Sequence, residues 1–369
     1  MKLGFLYAGQ GSQHPGMGAD LYETCPAFRS VLDRAAEQVD FDLKEISFTD
    51  KNGVLNRTRY TQPCMVAFAS GMTAALAERG IVPAVAAGLS LGEYSALHAA
   101  GVFDADTAVA LTAFRGRVME EASAGRLSAM VAVLGMEREP LEEICREASR
   151  MGCAVIANYN CPGQLVIGGD AAAVEWAAAK AKEQGARRCL PLKVSGPFHT
   201  PLMAPAGDAL EMRFRTVNFK EPRIPVVFNC LGDVKPENIT IPALLVRQVQ
   251  SSVYMEDSIR RLAAMGLDAL VEAHDEREVE RALEAGAKIV GVNNRDLRTF
   301  RVDMNNSIRL RNLAPEEVVF VSESGIRTSA DINLLYDNRV DAVLIGETLM
   351  RSPDKKVMLE TLNGKPLSR

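Results

Sequence analysis

The pentapeptide Gly88-Leu89-Ser90-Leu91-Gly92 sets a serine between two glycines. It follows a small-residue strand at 84–88 and precedes a helix running to about Ala100. The glycines permit a turn too tight for larger side chains, and that turn lifts the hydroxyl off the sheet at a helix N-terminus. There the Leu91 backbone N–H and the helix dipole face an oxyanion forming beside the serine. The same pattern fits a helix that Ser90 merely caps. A nucleophilic serine needs a base, and the chain holds four histidines, His14, His98, His199 and His274. His199 is the best placed, in a Gly-Pro-rich loop just ahead of a helix. His98 lies on an apolar helical face and reads as core, and His14, beside Pro15, reads as a solvated loop residue. No aspartate stands out as a third member, so the residues point to a Ser–His dyad.

The elements that must position these groups follow from the apolar periodicity. A short strand at 3–7 runs into the glycine-rich turn Ala8–Gln13. Helical spacing covers 20–39, 61–79 and 104–122. Between about 126 and 195 the order becomes strand 127–134, helix 137–150, strands 153–159 and 164–168, helix 170–185 and strand 188–193. This β-α-β-β-α-β order predicts a ferredoxin-like subdomain inserted in a larger α/β domain. A strand at 225–228 and helices near 241–250 and 255–265 follow. From 268 the rhythm changes. Strands at 268–272, 288–293, 318–322 and 341–345 alternate with helices at 275–285, 304–313, 329–337 and 354–361, a (βα)₄ run that implies a parallel sheet.

Composition narrows the function classes. The 369 residues are 47% hydrophobic and 24% charged, with a net charge of -5. That is a globular chain without a basic stripe, so no nucleic-acid partner is expected. No apolar run reaches 18 residues, so no membrane span is expected. The seven cysteines include no Cys-x-x-Cys pair. Reduced thiols in a cytoplasm fit better than a disulfide frame or a metal site.

Residues 1 to about 266 resemble malonyl-CoA:acyl carrier protein transacylases. The resemblance is carried by Gly9-Gln10-Gly11-Ser12-Gln13 with Gly16-Met17-Gly18, by Gly88–Ser95, and by Phe114-Arg115-Gly116-Arg117. Asn158-Tyr159-Asn160-Cys161-Pro162-Gly163-Gln164, Ser195–His199 with Pro201-Leu202-Met203, and Val246-Arg247-Gln248 complete it. It implies an α/β-hydrolase-like core with the ferredoxin-like insert. It also implies transfer of malonyl from malonyl-CoA to the phosphopantetheine thiol of acyl carrier protein, with no cofactor of the enzyme's own. By the same resemblance Ser90 is the nucleophile, His199 the base, and the N–H groups of Gln10 and Leu91 the oxyanion hole. Arg115 would hold the malonyl carboxylate, Gln248 would orient His199 through its backbone carbonyl, and Asn160 would line the site. The family often has histidine before the nucleophile, where this chain has Leu89.

The ending departs from that family, which closes on a strand and a Glu-x-Gly-Pro-Gly segment. Residues from about 267 to 364 resemble instead the C-terminal half of indole-3-glycerol phosphate synthase, a (βα)₈ barrel. The matching pieces are Leu270–Glu276, Gly291–Leu297, Val321–Ile326 and Leu344–Arg351. Polar residues at the strand ends, Glu272, Asn293 and Glu323, and the loops with Ser324, Gly325 and Gly346 stand where barrel enzymes place chemistry and phosphate. Helix capping and ordinary turn glycines explain the same residues. A barrel needs eight strands, and the half that carries the family's catalytic lysines has no counterpart. The expectation is therefore a transacylase at 1–266, a half-barrel segment at 267–369, and no synthase activity. An inactive chimera is the further alternative. Two open sheet edges invite self-association. Of the possible arrangements the sequence favours one in which the strand at 268–272 finishes the transacylase sheet.

Overall fold

The computed structural model describes residues 2–192, 194–284, 286–296 and 299–364. The expected ends of one strand at Lys193 and one helix at Ala285, and Leu297 of the synthase-like motif, lie outside them. The contacts divide the chain into two compact units, Met1–Leu267 and Asp268–Arg369.

The first unit contains strands β1 (Gly4–Tyr7), β2 (Val85–Gly88), β3 (Ser128–Leu134), β4 (Ala154–Cys161), β5 (Gln164–Asp170), β6 (Arg188–Pro191), β7 (Val226–Phe228), β8 (Asp233–Val234) and β9 (Val253–Tyr254). Its larger part is built on a sheet ordered β1-β2-β7-β8. β1, β2 and β7 run parallel, with Tyr7 level with Gly88 and Ala87 with Val227. Helices bury both faces, so β2 is apolar and buried at every position. The helix Ala105–Ser123 starts at the cap Asp104, whose side chain accepts from the Thr107 N–H at 2.8 Å. Gly116 lets this helix approach the start of the helix Thr58–Ala77, since a Cβ there would sit 2.7 Å from the Thr58 carbonyl oxygen. The expected single helix at 20–39 is two, Ala19–Thr24 and Pro26–Ala36, because Pro26 at the second helix's first position offers no N–H to continue the first.

The insert is a separate layer. Its sheet is ordered β6-β3-β5-β4, with all three of those pairings antiparallel, which is the ferredoxin-like arrangement. β9, which follows the insert in the chain, adds to β4 in parallel and ties the insert to the larger part. Tyr159 on β4 stacks on Tyr254 of β9 with ring centroids 4.9 Å apart. The insert keeps its own core, with Leu141, Ile144, Ile167 and Val174 nearly or fully buried.

The second unit contains β10 (Leu270–Ala273), β11 (Ile289–Asn293), β12 (Val319–Glu323) and β13 (Ala342–Leu344), all parallel and adjacent in chain order. One face of this sheet forms a core with its helices through Val290, Val292, Phe320, Val279 and Leu310. Burial of each such side chain contributes about 1.5–3 kcal/mol. The opposite face carries the register rows Leu270–Ile289–Val319 and Asn293–Glu323–Leu344. Leu270, Val319 and Leu344 on it are 41%, 43% and 46% exposed.

One expectation is corrected here. The strand at 268–272 does not finish the first sheet. It is β10, and its hydrogen-bonded neighbour is β11. Only Leu267, just ahead of it, joins the first unit's core, beside Val85, Ala87 and Val227. The reason is periodic: Leu270 and Val271 fall in apolar rows with Ile289–Val319 and Val290–Phe320, and a βα repeat pairs most readily with its own successor.

Candidate active site

Three parallel strands end on the same side of the first sheet, and each delivers part of the site there, as open α/β sheets commonly do. Gln10 follows β1, Ser90 follows β2 and Asn229 follows β7. Ser90 stands on the sharp turn between β2 and the helix Gly92–Ala99 with φ +55°, a left-handed conformation that L-residues adopt at a cost of roughly 1–2 kcal/mol. The flanking glycines are required by close approach. A Cβ on Gly88 would collide with the Gly92 carbonyl group, and one on Gly92 with the Tyr7 carbonyl oxygen.

The Ser90 hydroxyl lies 2.7 Å from His199 Nε2. His199 Nδ1 lies 2.9 Å from the Gln248 carbonyl oxygen, which only accepts. Nδ1 therefore carries the proton and donates it to that carbonyl, leaving Nε2 as the acceptor for the serine O–H. Burial lowers the imidazole's affinity for a second proton, and the nearby Arg115 charge lowers it further, down to about 4. At neutral pH His199 is a free base aimed at the serine. A backbone carbonyl fills the place a triad gives to aspartate, in keeping with a dyad.

Arg115 is fully buried. Its Nη2 donates to Ser90 Oγ at 3.2 Å and to Gln248 Oε1 at 3.0 Å. Its Nε and Nη1 are buried with no hydrogen-bond partner, and its guanidinium carbon lies 5.6 Å from the centre of the Tyr94 ring. Gln248 also donates from Nε2 to the Ser90 carbonyl at 2.8 Å, so a single residue braces serine, histidine and arginine. Among the described residues, neither the Gln10 nor the Leu91 N–H donates to another group of the protein. The Gln10 side chain is held by Thr58 Oγ1 at 3.2 Å, which also contacts Ser195 Oγ at 2.8 Å.

The structure thus joins Ser90, His199, Arg115 and Gln248 in one hydrogen-bonded group. Asn160 is half-buried near the end of β4, with no hydrogen bond to those four. His98 is largely buried with Nδ1 3.2 Å from the Phe103 carbonyl, and His14 is exposed. Sequence reasoning missed Asn229, Glu93 and Thr58. Asn229 and Glu93 are fully buried beside the elbow, and burial pushes the Glu93 carboxyl up to about 8. The available signal was positional: Asn229 is the first polar residue after the strand that pairs with β2.

In the second unit, Asn293 Nδ2 donates to Glu272 Oε1 at 3.1 Å. Burial and the Glu272 carboxylate push Glu323 up to about 7. Ser324 and Gly325 take left-handed turns after β12, with φ +65° and +87°, and Gly346 precedes the short helix Glu347–Arg351 after β13. Among the described residues no His/Cys/Asp/Glu cluster could hold a metal, and no helix is long and apolar enough to cross a membrane.

A strand–serine–helix elbow with a neutral imidazole base is the machinery of acyl transfer through an ester. The family model for the acyl transferase domain matches residues 4–314. The malonyl CoA-acyl carrier protein transacylase of Bacillus subtilis is 41% identical over 272 residues, 73% of this chain and 86% of its own length. The crystal structure of the enzyme of that name from Clostridium perfringens superposes with a TM-score of 0.68 at 30% identity, covering 91% of this chain and 96% of its own. A malonyl-transacylase solved with its holo type II PKS acyl-carrier protein superposes with a TM-score of 0.67 at 29% identity, covering 91% and 100%. The chain belongs to the acyl transferase family and, within it, to the malonyl CoA-acyl carrier protein transacylases.

Proposed function

We propose that the chain moves a malonyl group from malonyl-CoA to the phosphopantetheine thiol of an acyl carrier protein, through an ester on Ser90. His199 Nε2 takes the Ser90 proton as Oγ attacks the thioester carbonyl. The free N–H groups of Gln10 and Leu91 receive the oxyanion. The C–S bond then breaks and the coenzyme leaves as a thiol with the proton from His199. The carrier's thiol repeats these steps in reverse order, giving its proton to His199 and restoring Ser90. No cofactor enters, because both acyl carriers are thioesters of similar energy.

The observation that carries the malonyl assignment is Arg115. A buried guanidinium with two unpartnered nitrogens beside the nucleophile is costly unless an acid completes it. The free carboxylate of a malonyl group bound to Ser90 would supply the missing acceptors, and an acetyl group would not. Intact mass after mixing with malonyl-CoA tests this. The parent gains one malonyl group and Ser90→Ala gains none. An unmodified parent that is folded would refute the reading.

We further infer two domains, with residues 267–369 forming half of a (βα)₈ barrel that resembles indole-3-glycerol phosphate synthase. The support is the parallel four-strand order, the half-exposed Leu270, Val319 and Leu344 on one sheet face, and the contact of Glu272 with Asn293 beside Glu323 at the strand ends. These, with Ser324, Gly325 and Gly346, are the remnant of a synthase site. The family's catalytic lysines belong to the half that has no counterpart here, so this segment lacks its general acid and catalyses nothing by itself.

A further inference from the structure

We propose that Asn229 is a positioning residue for the nucleophile: its carboxamide clamps the serine elbow and assigns which backbone N–H groups remain for the oxyanion. The inference builds on the acyl-transfer reading above.

Three short contacts converge on this residue. Its Oδ1 accepts the Ser90 N–H at 2.5 Å, and its Nδ2 donates to the Gly88 carbonyl at 2.6 Å. Its own N–H donates to Glu93 Oε2 at 2.6 Å. The carboxamide therefore spans the turn from the residue before its apex to the apex itself. The backbone N–H beyond it anchors to the first turn of the following helix. Every polar group of the side chain faces the elbow, and Asn229 and Glu93 are fully buried.

That arrangement answers two problems of the turn. Ser90 sits at φ +55°, where a residue with a Cβ is held only if its surroundings over-determine it. The Asn229 bridge supplies restraint from a neighbouring strand. The second problem is donor choice. The turn bares the N–H groups of both Ser90 and Leu91, yet the Ser90 N–H is already committed to Asn229. The Leu91 N–H, from the same turn, stays free. Asparagine alone fits both ends. Aspartate would present a second acceptor to the Gly88 carbonyl, and alanine would leave a buried N–H and C=O unmet.

A merely structural asparagine would change stability and leave the chemistry of the folded fraction alone. A positioning residue changes the reactivity of Ser90 itself. Single-turnover malonylation and labelling by a fluorophosphonate, which needs the nucleophile but no malonyl carboxylate, separate these roles. In folded Asn229→Ala, both rates should fall on the order of 100-fold, with KM for malonyl-CoA within about threefold of the parent. A folded variant with both rates near the parent overturns the proposal. So does slow malonylation with normal phosphonate labelling, which would put Asn229 in substrate binding. If the alanine variant does not fold, Asn229→Asp, which keeps the acceptor for Ser90 N–H, should slow both reactions by a smaller factor. Parent-like rates there also overturn the proposal. A parent that labels with phosphonate but takes no malonyl group refutes the malonyl reading and leaves the Asn229 comparison intact.

Discussion

At the scale of residues, the site is governed by what burial does to two charged or chargeable groups. Arg115 cannot lose its proton, so burial leaves it in need of an anion. Arg115→Ala should cost malonyl transfer about 3 kcal/mol, near 10²-fold in kcat/KM, while acetyl transfer falls much less. Competition between malonyl-CoA and acetyl-CoA measures the ratio, and an unchanged preference would sink the assignment. His199 responds to burial by refusing a proton. With its pKa pushed down to about 4, acylation should hold steady from neutral pH to about 5 and fall as pH drops through 4. The linked stability has the same sign. The unfolded imidazole, near 6.5, binds protons that the folded one rejects, so the contribution of His199 is present above 6.5 and lost between 6.5 and 4. Rapid-quench acylation across that range checks the rate, and an inflection near 6.5 would show a solvated histidine.

At the scale of elements, the elbow is the part with the least tolerance. β2, the turn and the helix Gly92–Ala99 pack so closely that a methyl group on Gly88 meets the Gly92 carbonyl. Both are backbone and neither can swing aside. Gly88→Ala should destabilise the first unit by about 3 kcal/mol or more, judged from overpacking costs. Denaturant midpoints measure it, and a loss under about 1 kcal/mol would mean the turn relaxes. The ferredoxin-like insert was legible in the sequence because its strands and helices carry different periods, 2 and 3.6, in a fixed order. β8 and β9 were not. Each is two residues long, shorter than any period, and each exists only because a longer strand lies beside it.

At the scale of the whole molecule, the second unit presents an unsatisfied surface. Four parallel strands leave β10 and β13 as edges of that sheet, and Leu270, Val319 and Leu344 on one face are partly exposed. On the half-barrel reading proposed above, four strands from each of two copies would close an eight-stranded ring. The expected outcome in native mass measurements is a dimer that Leu344→Glu weakens. A chain that stays monomeric at high concentration would count against pairing through this sheet. The same sample, given the synthase's substrate, should form no indoleglycerol product.

What the sequence determined by itself were the features written in short, contiguous patterns. The glycine-flanked serine, the (βα)₄ rhythm and the motif around Arg115 need only neighbours along the chain. Ser90 was legible because a tight turn demands glycine at fixed spacing on both sides. The tertiary structure decided everything that depends on distant segments meeting. It set His199, the histidine that the sequence already favoured, 2.7 Å from the serine across 109 positions of chain. It set the Gln248 carbonyl, which only the family resemblance had pointed to, 2.9 Å from Nδ1 in place of a triad carboxylate, since a backbone carbonyl has no signature of its own in the sequence. It brought Asn229 to the elbow, 139 positions along the chain from Ser90. It also gave the strand from Leu270 to the second sheet. Local pattern specifies which strand can form, while the partner is chosen by where matching hydrogen-bonding edges and apolar rows come together in space.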